Sequence, residues 1–147
     1  MRALLQRVSE ARVTVDGLVT GQIGAGLLVF LGIGANDTKA DADRVAQKVV
    51  QLRIFPDAQG KMNLSLADIS GDLLIVSQFT LYADVGRGNR PSYSKAARPE
   101  LAQGLYEYFV GVCRDRGFRV ATGTFQAQMQ VHLVNNGPVT IIYDSES

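Results

Sequence analysis

Ser77-Gln78-Phe79-Thr80 sets two hydroxyls and a carboxamide within four consecutive residues. The segment follows Leu73, Leu74, Ile75 and Val76, so it falls at the end of a hydrophobic strand predicted over residues 72–81. Strand ends are where layered α/β domains build their sites. Two readings stand at this point. One is a polar strand edge. The other is a shallow pocket working through hydroxyl, amide and main-chain N–H donors. The second suits acyl chemistry, because N–H groups stabilise an oxyanion without a metal.

A second feature is Gly137-Pro138, after Asn136. It reads as a turn between strands, and an X-Pro bond in a tight turn is a candidate for the cis form. A third is the basic run Arg87, Arg90, Lys95 and Arg98, interleaved with Gly86, Gly88 and Pro91. Such a run is either a solvated loop or a receiver of phosphates.

Other chemistries lack their residues. His132 is the single histidine and alternates with Val131 and Leu133, which places it on the polar face of a strand. No HxxxH, CxxC or carboxylate cluster has ligand spacing, so no metal site is expected. Neither GxxxxGK[ST] nor a strand-linked GxGxxG is present, which disfavours a nucleotide cofactor. There is no GxSxG, and a Ser-His-Asp triad would have to use His132.

The elements that must position these residues follow from periodicity. Asp16-Gly17 predicts a hairpin between residues 12–15 and 18–23. Residues 27–33 form a continuous apolar run, suited to a strand buried on both faces. Thr38 and Asp41 resemble a capping box opening a helix that runs to about residue 53. A second helix starts near Pro99 and stops at Gly117. Three strands close the chain: residues 118–121, 129–133 and 139–143. The expected architecture is a single α/β domain over residues 1–147, with two main helices covering a curved sheet.

Composition sets the remaining bounds. A chain of 147 residues with 46% hydrophobic and 20% charged residues is neither disordered nor a membrane span. Folding can bury roughly two-thirds of its surface. A net charge of +1 excludes a strongly basic nucleic-acid coat. One cysteine, Cys113, permits no intramolecular disulfide, so a reducing cytoplasm is expected. The residues from Met1 to Val13 hold no continuous apolar segment, so no signal peptide is expected.

The strings VSQFTLYAD (76–84), GNRPSY (88–93) and NGPVTI (136–141) resemble the D-aminoacyl-tRNA deacylases, also called D-tyrosyl-tRNA deacylases. QRV (6–8), LRIFPD (52–57) and KMNLSL (61–66) match in the same order, so the resemblance covers essentially the whole chain. It implies a homodimer of three-layer α/β/β architecture with curved mixed sheets. It implies hydrolysis of the ester joining a D-amino acid, or glycine, to the terminal adenosine of tRNA, which is chiral proofreading in translation. It implies no metal and no other cofactor. The partners it implies are the tRNA acceptor end and a second copy of the chain; no membrane is involved. A non-catalytic RNA-end binding module on the same fold is the rival reading.

Carried over, Ser77, Gln78, Phe79 and Thr80 would line the reacting ester. Gly137-Pro138, with a cis bond, would complete the partner's pocket and guard the chiral centre. Arg7 would hold the partner's dipeptide. Phe125 and Met129 would line the adenosine side. Two departures stand out: Gln126 where the family typically has Gly, and Asn136 where Asp is commoner. If residue 126 needs a left-handed backbone, glutamine adopts it less cheaply than glycine.

Overall fold

The computed structural model describes residues 1–146. β1 (Arg2–Val15) and β2 (Leu18–Ile23) form the expected hairpin. Its turn residues Asp16 and Gly17 have φ of 50° and 80°, the doubly positive pattern that suits the strand twist. β3 (Gly26–Gly32) lies antiparallel to the first half of β1. β6 (Asp72–Ser77) and β7 (Val120–Thr122) add in parallel beyond it. Between β3 and β6 come α1 (Lys39–Gln51) and a small ribbon, β4 (Phe55–Pro56) with β5 (Met62–Leu64). α2 (Pro99–Asp115) connects β6 to β7. β8 (Gln130–Asp144) returns along the other side of β1.

Local chemistry accounts for the helix ends. The Thr38 N–H donates to Asp41 Oδ2 at 2.8 Å, the capping interaction read from sequence. Pro99 occupies the first turn of α2, and Gly117, with φ of 93°, follows its end.

Alternation along the parallel strands makes two cores. Leu27, Val29, Leu31, Leu73 and Ile75 face the helices and meet Val45, Val49, Leu105 and Phe109. Leu28, Leu74 and Val76 face the opposite way and meet Val8, Ala11, Val13 and Ile23. Each fully buried side chain of this size contributes about 1.5–3 kcal/mol. The second core is possible because the sheet curls on itself. The latter half of β1, with β2 and part of β8, forms a layer over β3 and β6. The curl nearly closes where β2 meets β7: a Cβ on Gly21 would collide with the carbonyl oxygen of Thr122. Helices, sheet and curled sheet are the three layers.

Three local expectations are corrected. The strand predicted to reach residue 81 stops at Ser77, because Phe79–Tyr82 winds into a 3₁₀ turn. The first helix ends at Gln51, two residues early. The last two predicted strands are one, β8, since β1 pairs with residues on both sides of Asn136-Gly137-Pro138. Among the described residues, no helix is long and apolar enough to cross a membrane.

Candidate active site

Parallel pairing of β3 with β6 ends at Leu31 and Ser77, and the Gln78 N–H then donates to the Leu31 carbonyl at 2.8 Å. The chain turns there. The first bond of the 3₁₀ turn runs from the Leu81 N–H to the Gln78 carbonyl, at 3.3 Å. The first N–H groups of such a turn have no partner within it; here they belong to Phe79 and Thr80. A cleft of about 680 Å³ opens at this point, at the carboxyl ends of β6 and β7.

Of the residues singled out in sequence, Ser77, Gln78, Phe79, Phe125 and Met129 all line the cleft. Thr80 does not; it is exposed beside it, and its hydroxyl accepts a hydrogen bond from the Gln78 carboxamide. The far wall follows β7. There Ala127 N–H donates to the Thr124 carbonyl at 3.1 Å, and Gln126 has φ of 64°. That is a four-residue turn with positive φ at its third position, a place that favours glycine. The left-handed backbone is therefore kept with glutamine in it. Phe125 is backed by Tyr106, with ring centroids 6.1 Å apart. The Tyr106 hydroxyl donates to the Ile75 carbonyl at 2.6 Å, and burial pushes its pKa up to about 12.

The near wall escaped sequence reasoning. It consists of Tyr93, Ala96, Ala97, Pro99 and Ala102, from the loop before α2 and its first turns. Long-range main-chain bonds hold it: Ala97 N–H to the Ile33 carbonyl at 2.9 Å, and Ala35 N–H to the Lys95 carbonyl at 3.0 Å. Behind these, Asp37 is buried and bridges two donors. Its Oδ2 accepts from the Gly34 N–H at 2.6 Å and its Oδ1 from the Met1 ammonium at 2.8 Å. Only the apolar or small character of residues 96, 97 and 102 hinted at any of this.

Gly137-Pro138 lies away from this chain's cleft, and its peptide bond is cis. Gln6 pairs with Thr140 and Val8 with Asn135, so residues 136–139 bulge out opposite Arg7 alone. The Asn135 side chain staples the bulge. Its Oδ1 accepts from the Val139 N–H at 2.8 Å, and its Nδ2 donates to the Val139 carbonyl at 3.2 Å and to Gln6 Oε1 at 3.1 Å. Asn135 was not among the residues picked from sequence. In the single chain, Arg7 meets this chain's own bulge. Its guanidinium engages its own chain, donating to the Asn136 carbonyl and to the Ile54 carbonyl, each at 2.7 Å.

The basic run divides. Arg87 and Arg90 share a hollow of about 320 Å³ with Asp84 and Ser92, while Lys95 and Arg98 are exposed elsewhere on the loop and at the start of α2. His132 is exposed on β8, across from Arg12. Among the described residues no group of three or more His, Cys, Asp or Glu side chains has metal-binding geometry.

Comparison with known proteins gives the family. The D-aminoacyl-tRNA deacylase of Thermosipho africanus (strain TCF52B) is 56% identical over 146 residues, covering 99% of this chain and 98% of the relative. That of Thermotoga petrophila is 57% identical over 145 residues, covering 99% and 97%. A solved structure described as a c-Myc DNA unwinding element binding protein superposes with a TM-score of 0.93, at 40% identity and 98% coverage of both chains. One described as a probable eukaryotic D-amino acid tRNA deacylase has a TM-score of 0.84 at 18% identity, covering 97% of each chain, which speaks to the fold. The family described as D-Tyr-tRNA(Tyr) deacylase matches residues 4–144, and the chain belongs to that family.

Proposed function

We propose that the protein hydrolyses the ester bond of D-aminoacyl-tRNA, releasing the free D-amino acid and tRNA. The observation that carries this reading is the open cleft at the Ser77-Gln78-Phe79-Thr80 turn, in a chain belonging to this family over residues 4–144. An aminoacyl ester is already activated, so the reaction needs no strong base from the protein and no metal or other cofactor. The N–H groups of Phe79 and Thr80 stabilise the oxyanion as water adds to the carbonyl carbon. Each such donor is worth roughly 3–4 kcal/mol of barrier. The substrate's ribose hydroxyl beside the ester, or water held by it, assists the proton transfer. Phe125 and Met129 receive the terminal adenosine.

The unit of function is a homodimer. The bulge carrying Gly137-Pro138 completes the cleft of the second copy, so the interface is isologous and both sites depend on it. Its main-chain carbonyls occupy the space that an L side chain would need. An obstacle of this kind rejects the wrong enantiomer without reading the side chain of the right one. Glycine, which has no side chain to reject, is accepted. Arg87, Arg90, Lys95 and Arg98 receive phosphates of the acceptor end. The protein acts in the cytoplasm, where aminoacyl-tRNA is found.

Incubation with D-aminoacyl-tRNA at substoichiometric protein tests the reading. Multiple turnovers of free amino acid are expected. Stable binding without release would instead identify a non-catalytic RNA-end binding module.

A further inference from the structure

The cleft and the arginine hollow are adjacent. Tyr93 lines the first and Ser92 the second. Neighbouring Cα atoms are about 3.8 Å apart, so the two hollows meet at this step of the loop. On the cleft side of this border stand two aromatic rings. Phe79 and Tyr93 meet edge to face, with centroids 4.9 Å apart and planes at 65°. In the single chain they are 55% and 38% exposed. The loop beneath them is held in place. Asp84 and Ser92 exchange two main-chain bonds of 2.8 and 2.9 Å, and the Ala96 N–H donates to the Tyr93 carbonyl at 3.0 Å.

The charges of the hollow are available. Among the described residues neither Arg87 nor Arg90 has an ion-pair partner, whereas Arg2, Arg44 and Arg119 each have one. The one carboxylate there, Asp84, accepts through Oδ1 from the Gly86 N–H at 3.0 Å and so is engaged in shaping the loop. Two guanidiniums and one carboxylate leave the hollow net positive.

We propose that the Phe79–Tyr93 pair is a stacking platform for the unpaired nucleotide preceding the ester-bearing one, with Arg87 and Arg90 receiving the adjoining phosphates. The proposal rests on the deacylase reading and extends it from the terminal nucleoside to the strand behind it. Base–aromatic stacking tolerates any base, since each presents a π-face, and guanidiniums beside it grip the backbone without reading sequence. An exposed aromatic pair alone would fit a protein partner equally. The arginines without ion-pair partners, in the hollow that Ser92 borders, favour a nucleic-acid strand.

Two substrates separate the platform from the chemistry: D-aminoacyl-adenosine, and the same amino acid esterified to full tRNA. For each, kcat/KM is measured with the wild type, Tyr93→Leu, Tyr93→Phe and Arg87→Gln/Arg90→Gln, after a thermal melt shows each is folded. Tyr93→Leu is expected to lose roughly tenfold more on tRNA than on the adenosine ester. Tyr93→Phe should restore the wild-type ratio. The double arginine variant should narrow the same ratio and lower the salt slope on tRNA by about one to two. Equal losses on the two substrates, or an unchanged ratio in Tyr93→Leu, overturn the platform while leaving the deacylase reading intact. A wild type that cleaves neither ester overturns both.

Discussion

The Arg7 Nε–H donates to the Asn136 carbonyl at 2.7 Å, tying the centre of β1 to the residue that precedes Gly137-Pro138. The same guanidinium donates to the Ile54 carbonyl, just after α1. One side chain thus fixes the bulge relative to both the sheet and the helical layer. Arg7→Met removes both bonds and should lower stability by about 1–2 kcal/mol, since the site is partly solvated. If the bulge sets chirality, D/L discrimination should fall at least about tenfold, near 1.4 kcal/mol of differential barrier. Single-turnover hydrolysis of matched D- and L-aminoacyl-tRNA is the measurement. Discrimination equal to that of the wild type would show that the Arg7 bonds are not what holds the selectivity element.

The Thr80 side chain should be dispensable for chemistry. A threonine hydroxyl is a weak nucleophile without an adjacent base, and among the described residues its only side-chain partner is the Gln78 carboxamide, which donates to it. Thr80→Ala should cost less than about tenfold in the single-turnover rate, about 1.4 kcal/mol. A folded Thr80→Ala protein with no detectable turnover would instead argue for covalent catalysis.

Asp37 is the costliest polar position. Its partner, the Met1 ammonium, is fully buried and also donates to Ser145 Oγ at 2.8 Å. Removing one member of a buried pair leaves an uncompensated charge, so Asp37→Ala should destabilise by about 3–5 kcal/mol. Urea unfolding checks the value. A loss under about 1 kcal/mol would mean that water replaces the carboxylate.

Gln126 offers the opposite sign. A left-handed non-glycine residue costs about 1–3 kcal/mol, of which glycine's extra unfolded-state entropy returns part. Gln126→Gly should therefore stabilise by about 1 kcal/mol and raise Tm by about 2–4 °C. Calorimetry would show a fall in Tm if the glutamine side chain makes up for its backbone.

Cys113 should be silent towards thiol reagents. It is fully buried in α2, and burial pushes its thiol up to about 12. The reactive thiolate is thus scarce throughout the range from pH 7 to 9. Alkylation should follow global unfolding and accelerate with denaturant; rapid labelling of the native protein would place the thiol in a region that opens locally.

Elements with their own local chemistry were legible in the sequence. Asp16-Gly17, Pro99 and Gly117 each act through φ preferences that hold in any context, and each sits where it was expected. The run over 27–33 was readable because both of its faces are buried. Ser77, Gln78, Phe79, Phe125 and Met129 converge on one cleft, but it was the resemblance that joined them, since β6 and the segment after β7 are far apart in the chain. Tyr93 and the alanines of the near wall were invisible because bonds to Ile33 and Ala35 position them, and such bonds have no local signature. Asn136-Gly137-Pro138 misled for the same reason. Its composition is that of a turn, yet pairing with β1 on both sides makes it an outgrowth of one continuous strand.

The place of β1 between early and late partners has a consequence for synthesis. β2 and β3 are made soon after it, but Arg2 Nε meets Asp144 Oδ2 across a sequence separation of 142 residues. Pairings this distant form slowly, because loop closure precedes any gain from contact. On the ribosome one edge of β1 stays uncovered until nearly the whole chain has emerged. Throughout that interval the nascent chain carries an open hydrogen-bonding edge, the kind of surface that chaperones shield and that neighbouring nascent chains can add to.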